Sequence, residues 1–148
     1  VAAHTRWASV GAITEANCHP VDNQATGGKT PKCGIIHTCL NGDIDNFQEL
    51  KAQFEGNGQR IHSEVTTDTK MILLKIQQYF QQGHAIDEAF RLALNDFEGS
   101  HAISMHTDLA PGKLFLAQRG SGQAIFVGIA DEHYIPSSEV YGFVEETP

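Results

Sequence analysis

The sequence predicts an α+β fold with helices lying outside stacked sheets, and three observations predict it. Residues 66–82 and 86–97 set their apolar side chains at helical spacing. After Gly99 the period changes to two. Ahead of the helices, Cys33 to Leu40 forms a short apolar run of strand length. The resulting order is strand, loop, strand, helix, strand, helix, helix and then four strands. That order fits two stacked sheets with outer helices, and it also fits other α+β sandwiches.

Taken in turn, Val1 to Ala8 reads as the end of a buried strand, with Ala2-Ala3 closely packed and Arg6 at its C-terminal edge. Ser9 to Lys32 is rich in Gly, Pro, Asn, Thr and His and reads as one long loop, with Asp22 to Lys32 as a flexible tip. Cys33 to Leu40 is a central strand that feeds Asn41-Gly42. Asp43 to Glu55 spaces Ile44, Phe47, Leu50 and Phe54 by three and four, giving an amphipathic helix stopped by Gly56-Asn57-Gly58. Arg60 to Val65 is a short strand. Thr66 to Gln82 is helical through Met71, Leu74, Ile76 and Tyr79-Phe80, and Gly83 ends it. Ile86 to Phe97 repeats that pattern, with Asp87-Glu88 near the positive end of the helix dipole. Ala102 to His106 and Lys113 to Ala117 form a hairpin around Asp108 to Gly112. Ala124 to Ile129 and His133 to Ile135 add two strands, and Ser137-Ser138-Glu139 starts a final short helix.

With 148 residues the chain has room for one domain with a sizeable core. Its 18 acidic and 10 basic residues give a net charge of −8, which repels phosphate backbones, so nucleic acid is not an expected partner. No run approaches a membrane span and the start lacks the features of a signal peptide, so the expected location is cytoplasmic. Three cysteines, with no Cys-x-x-Cys pair, indicate neither a disulfide framework nor a zinc site. The eight histidines contain no helical pair at the spacing of metal ligands, so no metal is expected. Gly120-Ser121-Gly122 lacks the Lys-Ser or Lys-Thr of a phosphate loop and reads as a tight hairpin. No cofactor is expected.

Three separated residues point to a pocket for a small zwitterion. Arg6 presents a planar fork of donors that fits a carboxylate. Asp68, between two threonines and just ahead of a helical run, can face an ammonium group. Asn41-Gly42 sets a side-chain amide beside an unobstructed backbone N–H, the pair of donors needed where a carbonyl oxygen becomes negative during acyl transfer. Each has an ordinary structural reading as well: a surface arginine, a helix cap and a hairpin turn.

These stretches also carry a family resemblance. His4-Thr5-Arg6-Trp7-Ala8, Asn17-Cys18-His19-Pro20, Asn41-Gly42 with Ile44 and Asn46, Ser63, Thr67-Asp68-Thr69 and Ala117-Gln118-Arg119-Gly120-Ser121 occur in order. Together they resemble the glutaminase domain of the class II glutamine amidotransferases, of the glucosamine-6-phosphate synthase type. The resemblance implies an N-terminal-nucleophile hydrolase fold, a four-layer α/β/β/α sandwich, and hydrolysis of L-glutamine to glutamate and ammonia. It further implies that Arg6 holds the substrate carboxylate and Asp68 its ammonium, that Asn41 and Gly42 stabilise the oxyanion, and that Ser9 and His19 line the pocket. Trp7 lies either at its ammonia-releasing mouth or packed on the sheet.

The resemblance also implies a nucleophile, the N-terminal cysteine whose own α-amine serves as base. This sequence begins with Val1, and Cys18, Cys33 and Cys39 match no nucleophile position. On this reading, residues 1–148 are the C-terminal two-thirds of such a domain, incomplete at the N-terminus and inactive alone. The parent passes ammonia to a phosphosugar-isomerase-like synthase domain. Sheet edges bared by the absent strands favour self-association as a homo-oligomer. The alternative is a non-catalytic glutamine-binding or structural remnant. Departures from the pattern are Ser9 for threonine, Val10 for histidine and Leu40 for the histidine before Asn-Gly.

Overall fold

In the computed structural model, which describes residues 2–5, 10–23, 34–59, 61 and 66–145, antiparallel pairing brings four strands into one sheet. In chain order the strands are β1 (Val21–Asp22), β2 (Ile36–Gly42), β3 (His101–Thr107) and β4 (Phe115–Arg119), and they lie side by side in that order. Between β2 and β3 come three helices, α1 (Phe47–Gly56), α2 (Thr69–Gln81) and α3 (Ile86–Asn95). A separate antiparallel hairpin follows, of β5 (Phe126–Ile129) and β6 (Tyr134–Ser137).

Alternation along β2 buries Ile36, Thr38 and Leu40 on one face, the side on which α2 packs. Ile103 and Met105 of β3 complete that surface, and Ile72, Leu73 and Ile76 of α2 are shut away from solvent against it. Each such aliphatic side chain contributes about 1.5–3 kcal/mol on burial. α3 adds Ala89, Phe90 and Ala93, and α1 adds Leu50 and Phe54, so one core lies between a single helical layer and the sheet. This is the α+β class. Among the described residues there is one helical layer, one four-stranded sheet and a two-stranded hairpin in place of a full second sheet.

Several boundaries depart from the sequence reading. Of the strand expected over Val1 to Ala8, residues 2–5 form no strand, with Ala2, Ala3 and Thr5 exposed, while residues 1 and 6–8 lie outside the described ones. Two alanines offer little apolar surface, and an extended segment without a paired neighbour gains nothing over coil. The expected loop from Ser9 contains a 3-10 turn at Glu15–Asn17 and strand β1, whose Val21 and Asp22 pair with Thr38 and His37. Asp22 therefore belongs to the sheet and not to a loop tip, while residues 24–33 lie outside the described ones. So does most of the expected strand at 60–65, and Ile61 is not in a strand. α1 begins at Phe47 and not at Asp43: the Asp43 and Asp45 N–H groups bond the Ser100 and Glu98 carbonyls, which keeps this stretch beside the chain entering β3, and the Ile44 N–H bonds Asp68.

Candidate functional site

Asn41 and Gly42 are the last two residues of β2, delivered by a strand that is paired along its whole length with β3. Directly opposed residues in an antiparallel pair alternate between bonded and non-bonded positions. The Asp43 N–H bonds the Ser100 carbonyl at 3.3 Å, which makes Gly42 a non-bonded position and turns its N–H away from β3. Only glycine fits there. Its φ is +107°, and a Cβ would stand 2.2 Å from the Ser100 carbonyl oxygen. The Asn41 side chain alternates onto the face opposite the helices.

A cavity of about 410 Å³ opens at this corner, walled by Asn41, Gly42, His19, Asp68 and Gln123 among others. Asp68 precedes α2 and is 5% exposed, yet it does not cap its own helix. Its Oδ2 accepts the Ile44 N–H at 3.0 Å and so fixes the chain just past Gly42 to the start of α2. Burial raises the Asp68 carboxyl above the ordinary aspartate range and nearby Asp43 adds to that, while the Ile44 N–H works against it. No cation pairs with Asp68 among the described residues. The cavity is thus lined by a buried carboxylate together with the amide-bearing Asn41 and Gln123 and the Gly42 backbone.

The remaining wall is stitched to α2 by short polar side chains. Asn17 is fully buried, and its Oδ1 accepts the N–H groups of Thr66 and Thr67 at 3.0 and 3.2 Å. Its Nδ2 donates to the Ala12 carbonyl at 3.0 Å, so one side chain joins the loop to the approach of α2. The His19 Nε2 and the Thr69 hydroxyl lie 2.8 Å apart, and the His4 and His19 rings are 4.5 Å apart, centroid to centroid. The His19-Pro20 peptide is cis. Lys70, next along α2, is fully buried and donates through Nζ to the Asp22 carbonyl at 2.7 Å. Burial lowers its pKa to about 8, with Asp22 opposing.

The structure therefore brings Asn41, Gly42, His19 and Asp68 to one cavity. Arg6, Trp7 and Ser9 lie outside the described residues, although Thr5 and Val10, on either side of that stretch, both line the cavity. Sequence reasoning missed the parts played by Asn17, Thr69, Lys70 and Gln123. Asn17 stood in a motif already noted, but a buried asparagine inside a polar loop has no periodicity to betray it. Lys70 sat inside an apolar-periodic run, where a charged residue is ordinarily read as solvent-facing.

A second, more apolar cavity of about 270 Å³ lies between the outer sheet face and the β5–β6 hairpin, lined by Cys39, Ala102, Leu116 and Ile125 among others. Burial pushes the Cys39 thiol up, against a hydrogen bond with Ser104, so Cys39 is a poor thiolate. Among the described residues no group of three or more His, Cys, Asp or Glu side chains could hold a metal ion, and no helix is long and apolar enough to cross a membrane.

Comparisons with known proteins bear on this arrangement. Residues 21–145 match a family model described as a glutamine amidotransferase domain. The glutamine–fructose-6-phosphate aminotransferase (isomerizing) of Neisseria meningitidis is 33% identical over 145 residues, a match covering 97% of this chain and 22% of that protein. Its counterpart from Thermococcus kodakarensis is 33% identical over 144 residues, with the same coverage of both chains. Among solved structures, the glutamine phosphoribosylpyrophosphate amidotransferase of B. subtilis, complexed with ADP and GMP, superposes with a TM-score of 0.76 at 21% identity, covering 95% of this chain and 28% of that one. That likeness speaks to the fold. The chain spans only 22% of the length of the curated relatives named here.

Proposed function

This chain belongs to the glutamine amidotransferase domain family, and from that premise we propose that the cavity at the end of β2 holds L-glutamine. Asp68 receives the α-ammonium, Arg6 the α-carboxylate, and the Asn41 amide with the Gly42 N–H faces the carboxamide oxygen as it becomes negative. Ser9, His19 and Trp7 complete the wall. The observation that supports this reading most is the convergence on one cavity of Asn41, Gly42 and a buried Asp68 that no cation pairs with among the described residues. A carboxylate held away from water gains from an incoming cation, which an α-ammonium supplies.

The chemistry proposed is hydrolysis of the glutamine amide. A thiolate adds to the carboxamide carbon, the oxygen becomes an oxyanion held by the two donors, and the C–N bond breaks as the leaving nitrogen takes a proton and departs as ammonia. Water then releases glutamate from the thioester. In the parent protein the ammonia passes to a phosphosugar-aminating synthase domain. Residues 1–148 serve as the part of an N-terminal-nucleophile domain that binds and polarises the substrate, and the thiolate enters from outside the described cavity wall. The test is calorimetry with L-glutamine and L-glutamate on this chain and on Arg6→Ala and Asn41→Ala, beside a glutaminase assay of the full-length parent. Binding by the chain that is weakened by Arg6→Ala, together with a parent whose turnover falls about 10²–10³-fold on Asn41→Ala, is the expected result. Absence of binding together with an Asn41-insensitive parent would refute it.

One observation favours a second reading, a glutamine-binding remnant without turnover. Among the described residues no thiol lines the cavity, and Cys39 faces the neighbouring one with its pKa raised. A parent that binds glutamine but releases no ammonia would decide for it.

A further inference from the structure

One cavity-wall residue has no part in the reading above. Gln123 precedes β5, and its Cγ would lie 3.0 Å from a Cβ placed on Gly42, so its side chain leans over the oxyanion corner. The segment carrying it is anchored from two directions. Gln118 Nε2 donates both to the Gly120 carbonyl and, at 2.9 Å, to the Gln123 carbonyl. The Gly122 N–H donates to the Ser100 hydroxyl at 3.1 Å, and Ser100 is also the residue whose carbonyl receives the Asp43 N–H just past Gly42. The backbone of Gln123 and the Gly42 corner are thus referenced to the same residue. The Gln123 side-chain amide, with two donors and an acceptor, makes no hydrogen bond among the described residues while it lines the cavity.

Resting on the glutamine-pocket reading, we propose that Gln123 is a specificity-determining residue that contacts the carboxamide end of the bound amino acid beside Asn41 and Gly42. An amide at that end can receive a hydrogen bond on its oxygen and give one from its nitrogen, and the side-chain amide of Gln123 answers both. A carboxylate in the same place has no hydrogen to give, so an acceptor fixed at position 123 would separate the two ligands.

Titration calorimetry of the 148-residue chain with L-glutamine and with L-glutamate tests this, using Gln123→Met and Gln123→Glu. Met keeps the length of the side chain and removes its polar atoms, and glutamine affinity falls about 3–10-fold. The Glu variant turns the position into a charged acceptor, and the affinity ratio of glutamine to glutamate rises about tenfold or more. Circular dichroism of both variants should match the parent, since Gln123 lies outside the core. Unchanged affinity in the Met variant, or an equal change for both ligands in the Glu variant, overturns the assignment while leaving the pocket reading in place. If the unsubstituted 148-residue chain binds neither ligand, both fall together.

Discussion

Lys70→Met should stabilise this protein near neutral pH, and the gain should shrink as the solution becomes alkaline. The ammonium of Lys70 is fully buried with the Asp22 carbonyl as its acceptor, and its pKa stands at about 8 against an ordinary 10.5. At about 1.4 kcal/mol per pKa unit, holding the charged form in the fold costs about 3 kcal/mol relative to the neutral amine. Methionine fills nearly the same volume without that cost but forfeits a hydrogen bond from a charged donor, worth about 1.5–3 kcal/mol. The net gain at pH 7 is then about 1 kcal/mol. The pH dependence is the sharper part. Between pH 8 and 10.5 the unfolded chain keeps the Lys70 proton and the folded one has lost it, so the wild type gains stability with rising pH and the variant does not. The advantage of methionine should therefore fall by about 2 kcal/mol between pH 7.5 and 9.5, ending with the wild type the more stable. Urea unfolding followed by circular dichroism at both pH values measures it. Taking the difference between the two proteins cancels the opposing contributions of Cys39 and Tyr79, whose pKa values are raised. A difference that stays constant across this range would refute the reasoning.

Asp68→Asn should separate binding from stability: the carboxyl pKa is raised, so removing the charge leaves the fold as stable or slightly more so at neutral pH, while glutamine affinity falls about 10–100-fold. Thermal melts and calorimetry on one preparation check both halves. Gly42→Ala places a Cβ 2.2 Å from the Ser100 carbonyl oxygen at a φ of +107°, and should cost about 3 kcal/mol or more, read as a lowered urea midpoint.

The helices were legible because α2 and α3 each repeat an apolar face over ten residues or more, and the β3–β4 hairpin because its period switches to two around a turn ending in Pro111-Gly112. Asn41, Gly42, His19 and Asp68 were singled out by the sequence and line one cavity, and the backbone requires glycine at position 42. β1 escaped because two residues cannot display a period, and its partner strand alone explains its conformation. Of the strand expected over Val1 to Ala8, the described residues 2–5 are not a strand for the converse reason: among the described residues they have no pairing neighbour, and an apolar look alone does not make one. Lys70 and Gln123 were invisible because a side chain buried by tertiary packing, or leaning over a site from a loop 81 positions further along the chain, leaves no local mark.

The most direct test of the glutamine pocket is a titration of the ¹⁵N-labelled chain with L-glutamine, followed by NMR. The Gly42 and Asp68 amides and the Asn41 side-chain NH₂ should shift together along one saturation curve, while the α3 amides stay in place. Shifts confined to other parts of the chain, or no shift at millimolar glutamine, would contradict the account.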